Sequence, residues 1–101
     1  MIWTPSLFPV AYYQPCGHKY RRTVDGIACG PFGIWEAAFG KYSLTHVQTG
    51  MRIGPLVGSI AAAKRRAQKL HRLDWAFDDR RTRTARETVE KARGILSTPS
   101  G

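Results

Sequence analysis

Acidic residues are scarce in this chain: seven Asp and Glu stand against sixteen Lys and Arg in 101 residues, a formal charge of +9. Cysteine is scarcer still. Cys16 and Cys29 are the only thiols, too few for a disulfide framework in a chain able to build a core. No apolar run approaches the roughly 18–20 residues that span a bilayer, which excludes a membrane helix. The opening residues lack a basic stretch, and Pro5 and Pro9 interrupt them, so no secretion signal is expected; a reducing, cytoplasmic setting with both thiols reduced follows. Internal repeats and low-complexity tracts are absent. The glycines match neither a dinucleotide fingerprint nor a P-loop, and their spacing instead suits hairpin turns. Apolar residues are not lacking, at 43%, with 11% aromatic, too many for a disordered tail. A chain of this length forms one domain and buries roughly 60–70% of its unfolded surface without needing metals or bridges.

Charge and pattern divide the chain in two. Residues 1–50 carry a net +2 and read as β structure; residues 51–101 carry +7 and read as α. Pro5, Pro9 and Pro15 make residues 1–15 an extended arm, within which Leu7–Tyr13 can pair as an edge strand. Residues 18–54 form the β region. Strand-suited residues run from His18 to Val24, Asp25-Gly26 signals a tight turn into Ile27–Cys29, and Gly30-Pro31-Phe32-Gly33 breaks that strand. Ile34–Phe39 reads as a further strand, Gly40-Lys41 as a turn, Tyr42–Val47 as the next strand, and Thr49-Gly50 as a turn into Met51–Ile53. Gly54-Pro55 closes the sheet. Residues 59–94 form the helical region: Ser59 is an N-cap, and Ile60–Leu73 follows with Ile60, Ala63, Ala67 and Leu70 at helical spacing. Trp75 and Phe77 supply large anchors. A second helix spans Ala85–Arg93, with Thr84-x-x-Glu87 as a capping box and Gly94 as its stop. It lies at the edge of the domain or in a homodimer contact. Residues 97–101 fray. The expected fold is α+β, an antiparallel sheet of three to five strands packed by one main helix, with a second C-terminal helix.

The functional signal is electrostatic. Lys64, Arg65, Arg66, Lys69, Arg72, Arg80, Arg81, Arg83 and Arg86 fall within 23 residues. Arg65, Lys69 and Arg72 recur at i, i+4 and i+7, a stripe facing away from the core. Such clustering raises the local potential and draws polyanions, and the preference for arginine suits planar, bidentate contact with phosphate or carboxylate. The candidate binding residues are therefore Lys64, Arg65, Lys69, Arg72, Arg80, Arg81, Arg83 and Arg86. The partner they imply is nucleic acid or an acidic protein or nucleoprotein surface, with no membrane involved. Arg21 and Arg22 lie near Tyr20, downstream of Tyr12 and Tyr13, aromatics that could stack on exposed bases but that more commonly line a sheet face.

Catalytic signals are thin. Cys16-Gly17-His18 places a thiol two residues from an imidazole without a third group, and Asp78-Asp79 sits among arginines that suit ordinary ion pairs. Cys16, His18, Cys29 and His46 are zinc-ligand types at spacings that zinc ribbons and fingers do not use. Neither enzyme activity nor a cofactor is expected, and His46 and His71 are the histidines whose titration near neutral pH is open.

The segment Ser59-Ile60-Ala61-Ala62-Ala63-Lys64-Arg65-Arg66-Ala67-Gln68-Lys69-Leu70, following three strands, resembles the C-terminal part of a double-stranded-RNA-binding domain. Ser59, Ala63, Lys64 and Ala67 fit that family's helix start, whose lysines grip phosphates across the major groove. Ile60 and Ala61 stand where its two leading lysines would be, and a proline-rich arm replaces its first helix. The resemblance covers residues 18–73 and implies a sheet-plus-helix architecture with an RNA-backbone contact. The arm-binding domains of phage integrases are similar in layout. In length and in Thr45-His46-Val47-x-Thr49-Gly50 the chain also resembles small accessory proteins of phages, anti-CRISPR proteins among them. That likeness implies a non-enzymatic inhibitor that docks on a nuclease complex.

Overall fold

The computed structural model describes residues 1–13, 16, 17, 19–79 and 81–97, excluding the side chains of Tyr12, Tyr13 and Lys19. Five strands form one antiparallel meander in chain order, β1 (Thr4–Tyr13), β2 (Lys19–Cys29), β3 (Phe32–Ala38), β4 (Lys41–His46) and β5 (Met51–Arg52). Two helices follow, α1 (Ile60–Leu70) and α2 (Arg83–Ser97). The α+β architecture expected from the sequence is what forms. No helix among the described residues is long and apolar enough to cross a membrane.

The proline-bearing arm is a full edge strand. Thr4 to Tyr13 pairs with Ala28 back to Lys19, and Pro5 and Pro9 are tolerated because a strand at the sheet edge can leave N–H positions unpaired. The chain does not turn at Asp25-Gly26. β2 runs straight through, and the hairpin falls at Gly30-Pro31, between the Cys29–Phe32 pair, with Gly30 at φ +55. Gly26 is required for proximity: a Cβ there would stand 2.2 Å from the Ile34 carbonyl oxygen and 3.1 Å from the Phe8 ring. β2 and β3 pair only through residues 27–29 and 32–34, after which the β1–β2 ribbon diverges. The next turn occupies Phe39 and Gly40, between the Ala38–Lys41 pair, one residue earlier than the sequence suggests.

The sheet then closes on itself. The Ala11 N–H donates to the Gly50 carbonyl at 2.8 Å, joining β1 to the β4–β5 turn at the far edge. This curvature gives the sheet two packed faces. Phe32, Ile34, Leu44 and Ile53 meet Ala63, Ala67 and Leu70 of α1, together with Trp75, Phe77, Ala85 and Ala92. On the opposite, concave face Phe8, Val10 and Val24 form a second cluster with Ala28, Trp35 and Val47. Buried residues on both faces of β4 explain why its alternation is blurred: Ser43 and Thr45 point to one face, Leu44 and His46 to the other.

Ser59 caps α1 as expected, accepting from the Ala62 N–H at 3.1 Å. The helix ends at Leu70, however, short of Leu73. The Leu73 N–H and the Trp75 indole N–H both donate to the Leu70 carbonyl, at 3.1 and 2.8 Å, a local closure that stops the helical ladder. For α2 the cap is Thr82, whose hydroxyl accepts from the Ala85 N–H at 3.2 Å. The expected Thr84–Glu87 box does not form, because Glu87 instead pairs with Arg83. Nor does Gly94 stop this helix. It continues to Ser97 because Ile95 and Leu96, one turn on, pack against the core. α2 packs on its own chain through Ala85, Thr88 and Ala92, and the Thr88 hydroxyl donates to the Asp74 carbonyl at 2.6 Å.

Candidate nucleic-acid interface

α1 buries one stripe, Ala63, Ala67 and Leu70, and this fixes where its cations go. At 3.6 residues per turn, Arg65 and Lys69 stand opposite that stripe, Lys64 lies on its flank, and Arg72 follows just beyond the helix end. All four are exposed, and none has a hydrogen-bond or ion-pair partner among the described residues. Arg66 differs. It is half-buried, and its guanidinium donates to the Ile53 carbonyl at 3.3 Å and to the Pro55 carbonyl, tying the end of the sheet to α1. Burial pushes its pKa below the ordinary arginine value. It is a structural clamp, set beside Gly54, whose Cβ would meet Arg66 Nη1 at 3.0 Å.

The remaining predicted cations separate further. Arg81 forms a forked pair with Asp79, Nη2 to Oδ2 at 3.1 Å and Nε to Oδ1 at 3.2 Å, and that carboxylate raises its pKa above the usual value. Arg83 pairs with Glu87 at 3.1 Å one helical turn on. Both pairs are exposed and so weigh little in stability, but they reduce the net charge offered to a partner. Arg80 lies outside the described residues. Arg86 is exposed on α2 and joins a different set.

That set lines a groove of roughly 1360 Å³ between the concave face of the sheet and one flank of α2. Cross-strand register decides its membership. Arg22 opposes Val10, and Arg52 opposes Thr45, so both arginines share the concave face with Trp35 and Ser43, themselves a cross-strand pair. Arg86 and Arg93, two turns apart on α2, face in from the other wall, with Glu90 the one carboxylate in the lining. All four arginines are exposed and have no side-chain partner among the described residues. In the floor, Ser43 and Thr45 are buried and hydrogen-bond to one another, hydroxyl to hydroxyl at 3.3 Å. The Trp35 indole N–H is buried without an acceptor among the described residues. Arg52 and Arg93 escape a reading of linear charge clusters, because only strand register and helix phase bring them to Arg22 and Arg86.

His46 has another role. Fully buried, it is held by Thr49 through Nδ1 at 2.8 Å and by the Trp75 carbonyl through Nε2 at 2.7 Å. A carbonyl only accepts, so Nε2 carries the proton and Nδ1 accepts from the Thr49 hydroxyl. With both nitrogens engaged, His46 has no lone pair for a metal. Among the described residues no three His, Cys, Asp or Glu side chains gather as metal ligands; His18 lies outside them. Cys16 is exposed and Cys29 half-buried. Of the tryptophans that could front a partner surface, Trp3 is half-buried against the main core and Trp35 lies in the groove. The bare aromatic is Phe39, fully exposed at the tip of the β3–β4 hairpin.

No known protein family, no curated protein and no solved structure matches the chain.

Proposed function

We propose that this protein is a non-enzymatic binding module that neutralises the backbone of a nucleic acid. The observation that carries the reading is the outer face of α1, where Lys64, Arg65, Lys69 and Arg72 are exposed and uncompensated. A row of cations held at helical spacing by a helix that is itself packed on a sheet is a rigid track for phosphates. Arg81 and Arg83 contribute through exchange, since each can trade its carboxylate for a phosphate. The resemblance to double-stranded-RNA-binding domains points the same way, through the placement of Lys64 in the first turns of α1.

Salt titration of binding is the test. If about five phosphates are engaged, log affinity falls against log salt with a slope near −4.5, and Arg65→Glu with Lys69→Glu makes the slope shallower. Binding that ignores salt would reject the reading. A second reading, a phage-type inhibitor docking on a nuclease complex, draws on Phe39, a bare aromatic beside Lys41, since such side chains anchor protein partners. Phe39→Ala leaves nucleic-acid binding unchanged under the first reading. Under the second it removes the main docking contact.

A further inference from the structure

We propose that the concave groove holds a single-stranded nucleic-acid segment, its bases against the Trp35 floor and its phosphates on the arginine rim. The inference rests on the nucleic-acid reading above and deepens it by naming the strand state and the surface that selects it.

The floor and the rim ask for different chemistry. The lining offers apolar surface from Val10 and Ala37 on the sheet and Val89 on α2, together with Trp35, whose indole N–H is buried without an acceptor among the described residues. That N–H is closed off from the groove, so what Trp35 offers a ligand is the half-buried part of its ring that belongs to the lining, a surface for stacking. Ser43 and Thr45 belong to the same lining, buried and hydrogen-bonded to each other at 3.3 Å. A ligand body that is planar, apolar on its faces and polar on its edges fits this floor, and a nucleobase is such a body. The rim adds Arg22, Arg52, Arg86 and Arg93 against Glu90 alone, all four guanidinium groups unpaired among the described residues. Their charge calls for a repeating anion rather than an isolated one, with two of the four on the sheet and two on the facing helix. A strand with splayed bases supplies base faces below and phosphates above, whereas a duplex keeps its base faces stacked inside and shows only base edges and phosphates.

The geometry also separates the groove from the track on α1. Leu44, which packs under α1, alternates along β4 with Ser43 and Thr45, which face the groove. The strand wall of the groove therefore lies on the sheet face opposite α1, its helix wall is a flank of α2, and the groove shares no cation with the α1 track, so the two can be disabled independently.

The experiment uses fluorescence anisotropy with labelled oligothymidylate, the same strand annealed to oligoadenylate, and thymidine monophosphate as competitor, with thermal melts as the folding control. The single strand binds more tightly than the duplex and outcompetes the free nucleotide. Arg52→Glu with Arg93→Glu weakens single-strand binding by about tenfold or more, while Arg65→Glu with Lys69→Glu affects the duplex more. Trp35→Leu removes the aromatic surface while keeping an apolar side chain; it weakens the single strand and reduces the quenching of intrinsic fluorescence on binding. Equal affinity for both strand states, with the groove substitutions silent and the α1 substitutions decisive, overturns the groove proposal and leaves the nucleic-acid reading standing. A free nucleotide binding as tightly as the strand also overturns it. A folded protein that binds none of the three at low salt rejects both.

Discussion

Acidification should destabilise this protein through one side chain, His46. The imidazole has no solvent exposure and is ringed by Phe77 at 4.5 Å, Trp75 at 5.4 Å and its two hydrogen-bond partners. A second ring proton would land on Nδ1, where the Thr49 hydroxyl now donates, and would have to be accommodated among aromatic rings. Burial therefore drives the His46 pKa below the ordinary 6.5, and the bond to the Trp75 carbonyl opposes that shift only in part. The sign follows from linkage. Between its lowered folded value and 6.5 the unfolded chain binds the proton that the folded one refuses, so stability is complete above 6.5 and falls as the pH drops through that window. The loss reaches at most about 1.4 kcal/mol per pH unit, and each kcal/mol corresponds to about 4–8 °C in Tm for a domain of this size. Thermal melts from pH 8 down to pH 5, above the main carboxylate range, should show this fall. His46→Gln should be less stable at pH 8 but should lose less of its stability than the wild type across the same interval. Parallel curves for the wild type and His46→Gln would refute the argument.

Two further substitutions probe the packing that shapes the candidate surfaces. A Cβ at Gly33 would stand 2.6 Å from the tip of the Phe8 ring, so Gly33→Ala should cost about 1–3 kcal/mol by overpacking and cost less in a Phe8→Leu background, read from a double-mutant cycle in urea; additivity would count against the contact. Arg66→Met should lower stability by about 1–3 kcal/mol, because it leaves the Ile53 and Pro55 carbonyls without their donor, while leaving nucleic-acid affinity unchanged; a selective loss of binding would place Arg66 in the interface instead.

Local signals in the sequence resolve the architecture well where they act alone. Ser59 followed by a 3/4 apolar period is enough to start α1, and the glycines at 30, 40 and 50, all at positive φ, mark the places where strands reverse. The errors arise where tertiary contact gives the same residues another use. Asp25-Gly26 has the composition of a primed turn, yet the glycine is needed because the Ile34 carbonyl passes 2.2 Å from where its Cβ would be. Gly94 has the composition of a helix stop, yet Ile95 and Leu96 gain more by packing against the core than a C-cap would return. Linear clustering locates the α1 cations because a helix keeps neighbours in sequence close in space. It cannot locate the groove, whose rim draws on β2, β5 and two turns of α2.

Folding thus sorts the positive charge rather than merely displaying it. Asp79 and Glu87 are taken up by Arg81 and Arg83, their own neighbours, and Asp74 accepts from the Ala76 backbone. These local attachments leave Lys64, Arg65, Lys69 and Arg72 without carboxylate partners among the described residues, and the groove cations Arg22, Arg52, Arg86 and Arg93 with Glu90 as the one carboxylate in their lining. Unpaired like charges repel and cost a free protein stability, and all eight side chains are exposed without a hydrogen-bond or ion-pair partner among the described residues. Arg66 is the internal contrast: where this fold needs an arginine for itself, it buries the side chain and satisfies it with carbonyls. Exposed cations without carboxylate partners among the described residues are what the proposed polyanionic ligand would require, and the salt slope of binding measures whether they are used.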